Sequence, residues 1–301
     1  MRCESTRVAG SAGKRLGALV VAMALSTSIS LAEPLVLGAA ESRLQLAQIG
    51  TLIAGQYDNE PQRHYLEGMK RGASAPARLN LQLRKTADAP LRFALEERDG
   101  NEHQSVARRG TLMLAADATT REIVMTLENT ACRWRWGVVN GLWRALPTEA
   151  CTAATGALPS VAGKTWWLGK DELWVERPGE QVMIELGRAQ DFDCFVAVET
   201  PDGKGFARTG LKLHDRGGTV QLQTDEPQRR TLELTLRRGM WPSNSGNNLV
   251  ELLTLYLQEV GAAEVIGTGW ATPDSPRIGF GTGGQKTAGD RAVNARCKKI
   301  E

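Results

Sequence analysis

The sequence contains few histidines, and it lacks the common catalytic and metal-binding motifs. There are three histidines in 301 residues, with no G-x-S-x-G nucleophile motif and no H-E-x-x-H motif. None of the five cysteines belongs to a C-x-x-C pair, which argues against a structural zinc site and a thioredoxin-like redox site. We therefore predict no metal site and no cofactor.

His214 stands beside Asp215, a combination that suggests an acid–base pair. Adjacent residues of a strand point to opposite faces, however, so the two side chains cannot hydrogen-bond as in a catalytic triad. The sequence Asp215-Arg216-Gly217-Gly218 is instead typical of a turn between two strands. We predict a turn here and assign no catalytic residue.

Residues 1–32 predict a cleavable secretory signal. Four basic residues precede an uncharged stretch from Leu16 to Leu31, and Ser30-Leu31-Ala32 offers small side chains at the cleavage position. The alternative is an uncleaved membrane anchor, but a spanning helix needs roughly 20 strongly apolar residues and this stretch is shorter. We expect an exported protein that is periplasmic or secreted.

The mature chain has almost no net charge. The signal carries four of the 37 Lys and Arg residues and one of the 34 Asp and Glu residues, so 33 of each sign remain. A general affinity for nucleic acid or an anionic membrane is therefore not predicted. After signal cleavage no segment is apolar for long enough to span a membrane.

Four cysteines remain once Cys3 is removed with the signal. An even number in an oxidising compartment predicts two disulfides, for which three connectivities exist. We favour Cys132–Cys151, because the two residues are close in sequence, together with Cys194–Cys297, which would hold the C-terminal tail.

Alternating apolar and polar residues dominate the chain from residue 55 to about residue 238. Leu79, Leu81 and Leu83, for example, alternate with polar neighbours, as expected for strands with one buried and one wet face. Before them, apolar residues three and four apart predict a helix over residues 39–54. The predicted fold is mainly β: a lipocalin-like antiparallel β-barrel of about eight to ten strands, with an N-terminal helix closing one end.

A helical pattern returns near the C-terminus. Apolar residues from Leu249 to Val260 fall on one helical face, and Gly261 follows where a helix would end. We predict a second helix there, a single barrel domain over residues 33–271, and a Gly-rich tail over residues 272–301 that is ordered only if Cys297 is bonded. An alternative boundary between two β-units lies at residues 152–163, which are rich in small residues and proline.

Eight tryptophans are present, and Trp134 and Trp136 share one face of a strand. Large rings of this kind often fill a protein core. The alternative is a ligand pocket that stacks planar molecules or sugar rings, with arginines to meet carboxylates.

The segment from Leu52 to Gln62 resembles the opening of the CpcT/CpeT-type phycobiliprotein chromophore lyases. A short helix leads into a strand in which Gly55, Tyr57, Asp58, Asn59 and Gln62 match the family pattern. Later segments around Cys194, His214 and residues 248–257 are similar to exported relatives from non-photosynthetic bacteria. The family's Tyr-Arg-x-Arg strand has no equivalent, since the corresponding region, residues 78–84, lacks the tyrosine.

The resemblance implies a lipocalin-like barrel that holds a linear tetrapyrrole and attaches it to a phycobiliprotein cysteine. An exported protein would not meet phycobiliproteins, so we carry over the barrel and ligand binding rather than the lyase chemistry. We predict a small hydrophobic or planar acidic ligand, of unspecified identity. Its predicted contact residues are Tyr57, Asn59, Gln62, Arg78, Arg84, Arg92, Trp134 and Trp136.

Two other hypotheses compete with ligand binding inside the barrel. In one, the protein is a non-catalytic structural or interaction protein of the cell envelope, and its barrel is solid. In the other it is a true lyase, which requires a polar acid–base group inside the pocket. For Tyr57, Asn59 and Gln62 the alternative role is a fold signature at the corner between helix and strand.

Overall fold

The computed structural model describes residues 38–68, 75–100, 105–152, 159–176, 183–199, 205–225, 229–243, 248–281 and 292–300. The predicted signal at residues 1–32 lies outside these ranges. Three helices form within them: α1 (Ala39–Ile53), α2 (Glu60–Gly68) and the single turn α3 (Glu149–Thr152). None of these helices is long and apolar enough to cross a membrane.

Ten antiparallel strands form a closed barrel, in which the last strand pairs with the first. These strands are β1 (Gly55–Asp58), β2 (Asn80–Asp88), β3 (Leu91–Arg98), β4 (Arg108–Ala116), β5 (Ile123–Leu127), β6 (Arg133–Val139), β7 (Leu142–Pro147), β8 (Thr165–Leu168), β9 (Glu172–Glu176) and β10 (Ile184–Arg188). The prediction of a mainly β protein with a closed antiparallel barrel is confirmed.

The barrel interior is packed with the chain's own side chains. The alternation seen in the sequence places one side chain in two inside, and the largest of the completely buried ones are Trp134, Trp166, Tyr57 and Phe93. Helix α1, which lies where a helix was predicted, adds Ile49 and Ile53 to the same core.

The chain then builds two four-stranded antiparallel sheets around a second core, which we call the sandwich. Its strands are β11 (Asp191–Glu199), β12 (Gly205–His214), β13 (Arg216–Gln223), β14 (Thr231–Pro242), β15 (Leu249–Glu259), β16 (Val265–Ala271), β17 (Arg277–Gly281) and β18 (Ala292–Lys299). One sheet has the order β12-β11-β18-β17, and the other has the order β13-β14-β15-β16. Apolar side chains from both sheets meet in one buried cluster.

Both predicted disulfides are confirmed. Cys132 is bonded to Cys151 beside the barrel core, and Cys194 is bonded to Cys297 across the neighbouring strands β11 and β18. Part of the predicted Gly-rich tail is therefore β17 and β18 of the sandwich, while residues 282–291 lie outside the described residues. The β13–β14 hairpin also pairs as the alternation indicated, with Val220 opposite Leu234.

The predicted C-terminal helix is wrong, because Leu249–Glu259 is the strand β15. It lies between β14 and β16, with Leu253, Leu255 and Leu257 in the sandwich core and Tyr256 on the opposite face. A strand that is apolar on both faces also places apolar residues three and four apart, so its pattern imitates a helical stripe.

The extent of the barrel also needs correction, since it closes at Arg188 rather than running to residue 271. The chain passes from β10 to β11 through Ala189 and Gln190 alone. The described part of the segment 152–163 belongs to the barrel, where Val161 is part of the buried core. The described residues 159–163 precede the barrel strand β8, and residues 153–158 lie outside the described ranges.

Candidate functional site

Tyr57 lies in the barrel core, where its hydroxyl joins three elements. The hydroxyl donates to the Leu52 carbonyl oxygen (2.6 Å) and accepts from Arg188 Nη2 (2.7 Å). The Arg188 guanidinium also lies over the ring, 5.1 Å from its centroid, and reaches the Ala54 carbonyl oxygen. Burial raises the pKa of Tyr57 to about 12, although the charge of Arg188 opposes the shift. Tyr57 thus fastens the end of α1 to β1 and β10.

Asn59 and Gln62 hold backbone groups on either side of the corner between β1 and α2. Asn59 donates to the Ala77 carbonyl oxygen (3.0 Å) and accepts from the Leu79 amide (2.8 Å). Gln62 donates to the Met183 carbonyl oxygen (2.7 Å) and accepts from the Glu185 amide (3.1 Å). Each side chain therefore pairs with one backbone N–H group and one backbone carbonyl oxygen beside β2 or β10, as a neighbouring strand would.

Arg78 connects the barrel to the sandwich. Its Nη2 lies 3.0 Å from Oδ2 of the fully buried Asp58 and also donates to the Gly217 carbonyl oxygen (3.0 Å). Asn80 supports the carboxylate by donating to it (3.0 Å). Gly217 has a φ of +82°, a backbone conformation that favours glycine. A Cβ at this position would also lie only 2.8 Å from Glu60 Cγ, so a larger residue is disfavoured.

Further charges are buried at the same junction, which we call the polar joint (Asp58, Glu60, Arg78, Asp215, Arg216 and Arg237). Glu60 Oε1 lies 2.6 Å from Arg237 Nη2, and burial raises the pKa of Glu60 despite this partner. Asp215 accepts from the Gln190 amide (2.8 Å), and burial raises its pKa as well, although the Arg216 charge opposes the shift. The predicted turn at Asp215 is confirmed, and it belongs to this joint.

Trp134 and Trp136 both point into the barrel. Trp134 is 1% exposed, donates its indole N–H to the Lys164 carbonyl oxygen (2.8 Å) and packs against Trp166 with centroids 5.6 Å apart. Trp136 is buried in the same cluster. These rings fill space in the barrel interior.

Arg84 and Arg92 lie on the outside of the barrel. Arg84 is exposed on β2, and Arg92 Nε lies 2.7 Å from Glu128 Oε1 in a surface ion pair. The structure therefore divides the predicted ligand residues among the barrel interior, its outer surface and the corner beside α2. It does not bring them together around one cavity, and their role in ligand binding stays a prediction.

A different set of residues lines a groove on the outer face of β14, β15 and β16. Strand pairing sets Arg237, Thr254 and Trp270 side by side in one row and places Tyr256 opposite Thr268. The groove has a volume of about 730 Å³. It is lined by Arg237, Trp241, Pro242, Ser243, Val250, Leu252, Thr254, Tyr256, Val265, Thr268 and Trp270, and we call it the aromatic groove.

The aromatic groove exposes rings but little charge. Trp270 is 73% exposed, an unusual state for the largest apolar side chain. Trp241 packs on His64 of α2 with centroids 5.1 Å apart, and burial together with the Arg237 charge lowers the pKa of this histidine. Arg237, the one charged residue among the described lining residues, is paired with Glu60.

Two further concave surfaces are more polar. A cleft of about 730 Å³ between α2, the outside of β9 and β10 and the ends of β14 and β15 combines Tyr65 and Trp174 with charges of both signs. Burial and the nearby Glu172 raise the pKa of Glu185 in this cleft. A surface of β11, β17 and β18 carries Arg296 and Lys298. In the described residues, no group of three histidine, cysteine or acidic side chains is placed to hold a metal ion.

The sequence carried one usable signal for the aromatic groove. Along β15, Leu253, Leu255 and Leu257 alternate with Thr254 and Tyr256, which is a strand pattern with an apolar and a mixed face. A helix over this segment would not place Tyr256 and Trp270 on one surface, whereas the strand pairing does. Comparison with known proteins gives no significant match to any family model, curated protein or solved structure.

Proposed function

We propose that this protein is a non-catalytic binding protein of an oxidising compartment outside the cytoplasm, and that it binds its ligand in the aromatic groove. In this proposal the barrel is a scaffold. The observation that carries it is the exposure of Trp270 in a groove, whereas Trp134 and Trp166 of the barrel are buried and packed against each other.

The filled barrel interior supports this choice over lipocalin-like binding inside the barrel. A tetrapyrrole in the lumen would have to displace rings such as Trp134, Trp166 and Phe93, or the α1 side chains Ile49 and Ile53. These residues are almost completely buried, and emptying a packed core costs both dispersion and apolar burial.

The groove has the properties of a small-molecule or chain-binding surface. Its volume falls in the range of roughly 300–1,000 Å³ that is common for ligand sites, and its walls combine aromatic rings with a few hydroxyl groups. Large contiguous apolar patches exposed on a soluble domain often mark a ligand-binding groove or an interaction surface.

Two observations support the compartment. The protein has two disulfides, which persist mainly in oxidising surroundings. Residues 1–32 have the composition of a secretory signal. Export by that signal, and a periplasmic or secreted location, are parts of the proposal.

Two dyes distinguish the groove from the barrel lumen. We expect Nile red, an uncharged planar dye, to gain fluorescence on the wild-type protein and to lose most of that gain with Trp270→Ala. Trp167→Ala is the matched control, because Trp167 is a half-buried ring on the outer face of the barrel beside Arg144. This control should bind the dye as the wild type does.

Biliverdin tests the lumen and the family resemblance together. We expect the visible absorbance of biliverdin not to shift when it is mixed with the mature protein. A shift that Trp270→Ala leaves unchanged, combined with Nile red binding that does not depend on Trp270, would place the ligand in the barrel and overturn the proposal.

A further inference from the structure

Four of the residues that line the aromatic groove carry hydroxyl groups: Ser243, Thr254, Tyr256 and Thr268. Thr254 donates its Oγ1 hydrogen to the Arg237 carbonyl oxygen (3.0 Å), so its lone pairs can accept from a ligand. Thr268 is exposed on β16, directly opposite Tyr256. A hydroxyl both donates and accepts, and this matches a ligand whose own polar groups are hydroxyls.

The aromatic rings offer flat faces next to these hydroxyls. Trp270 pairs with Thr254 and Tyr256 pairs with Thr268, so Trp270 and Tyr256 occupy diagonal positions on the same face of the sheet, which in antiparallel sheets are roughly 7–8 Å apart. The negative face of an aromatic ring attracts C–H groups that carry a small positive charge, and the apolar face of a sugar ring presents several of them.

The charge of the groove does not favour an ionic ligand. Arg237 is the one charged residue among the described residues that line the groove. Its Nη2 lies 2.6 Å from Glu60 Oε1, and its guanidinium lies over the Tyr256 ring, 5.5 Å from the ring centroid. A ligand anion would have to compete with Glu60 for this cation. An uncharged ligand avoids the cost of moving a charge into an apolar groove.

The length of the groove suits a chain rather than one small molecule. Trp241 pairs with Val250, and Tyr256 lies six residues further along β15, which corresponds to about 20 Å of strand. β16 is the last strand of its sheet, but β17 lies against it, so we do not expect a peptide ligand to pair with β16 as an added strand. A Cβ on Gly269 would lie 2.6 Å from the Gly279 carbonyl oxygen.

We infer that the aromatic groove binds an uncharged carbohydrate chain, with Trp270 and Tyr256 stacking on sugar rings and Thr254 and Thr268 meeting their hydroxyls. This inference rests on the proposed function, because it names the ligand of the same groove.

Native electrophoresis through gels that contain a polysaccharide tests the inference. The probes are hydroxyethylcellulose, galactomannan, laminarin and dextran, which are all uncharged. We expect at least one of them to retard the wild-type protein, and we expect Trp270→Ala to weaken that affinity at least tenfold. Trp167→Ala should migrate as the wild type does. High salt should leave the retardation unchanged, because no charge is screened.

Circular dichroism of Trp270→Ala shows whether the variant folds, and Thr268→Val provides a second, milder change that should also weaken retardation. No retardation by any of the four polysaccharides overturns the carbohydrate inference, and so does retardation that both tryptophan variants share. If Nile red binding still depends on Trp270 in that case, the groove remains the binding surface and only the ligand is wrong. A Trp270-dependent dimer in sedimentation without retardation would instead identify a second copy of the chain as the occupant.

Discussion

In the barrel, Trp134 and Trp166 are packed against each other, whereas in the sandwich Trp270 lies on the outer face of a sheet with 73% of its surface exposed. The barrel uses its largest rings to fill a closed interior. The sandwich fills its core mainly with Leu, Val and Phe side chains, and its Trp241, Tyr256 and Trp270 line a groove on the outer face. In the proposed division of roles, the closed ten-stranded barrel is the support and the sandwich carries the binding surface.

Buried and half-buried charges connect the two regions, together with the ring contact between His64 and Trp241. Arg78, Asp58, Glu60 and Arg237 cross from the β1–α2 corner to the turn and strand of the sandwich. Asp58 and Glu60 are buried at this junction, so removing the arginine partner of either carboxylate would leave a buried charge without compensation.

The disulfides give the largest expected difference between the regions. Removing Cys194–Cys297 by double alanine substitution should lower the free energy of unfolding by about 5 kcal/mol, because the bond closes a separation of 103 residues. Removing Cys132–Cys151 in the barrel, with a separation of 19 residues, should cost about 3 kcal/mol. Denaturant unfolding of the two double variants measures both. Equal losses would mean that loop closure does not explain how the two regions are stabilised.

The polar joint is tested by Arg78→Ala, for which we expect a loss of about 3 kcal/mol or more, because Asp58 would be left charged and buried. Arg92→Ala is the matched control, since it breaks the exposed pair with Glu128 and should cost less than about 1 kcal/mol. The same unfolding experiment measures both variants. If the two losses are similar, the joint does not hold the barrel and the sandwich together.

Asp215 makes the stability of the joint depend on pH. Its pKa in the folded protein is raised above the ordinary 3.8, mainly by burial, so its favourable contribution is complete at low pH and is lost as the pH rises through the folded value. Asp215→Asn keeps the oxygen that accepts from Gln190 but cannot ionise. Relative to this variant, the wild type should become less stable as the pH rises above the ordinary carboxyl pKa of 3.8. A difference in unfolding free energy that is constant with pH would contradict this explanation.

The sequence contained enough information for the local structure of most strands. Period-two alternation predicted the strands β2 to β5 and the β13–β14 hairpin, and the separation of Cys132 and Cys151 favoured the pairing that forms. Leu249–Glu259 was mistaken for a helix because apolar side chains occupy both faces of this central strand. The alternation of Leu253, Leu255 and Leu257 with Thr254 and Tyr256 is the one local strand signal, and it competes with apolar residues three and four apart.

The candidate site depends on contacts that are distant in sequence. Trp241, Tyr256 and Trp270 form one surface only because β14, β15 and β16 are neighbours, and no local pattern specifies that pairing. Tyr57 and Gln62 were recognised as unusual residues, but their partners Arg188 and Met183 lie more than 120 residues away. The sequence therefore marked the corner as important without showing which groups it holds.

Stability and dye binding, measured on the same two variants, test the central claim most directly. Trp134→Ala should lower the free energy of unfolding by about 3–5 kcal/mol and leave Nile red binding intact wherever the protein is folded. Trp270→Ala should change stability by less than about 0.5 kcal/mol and abolish most of the binding. The opposite result, with binding lost in Trp134→Ala and retained in Trp270→Ala, would make the barrel interior the binding site and contradict the division of roles between barrel and sandwich.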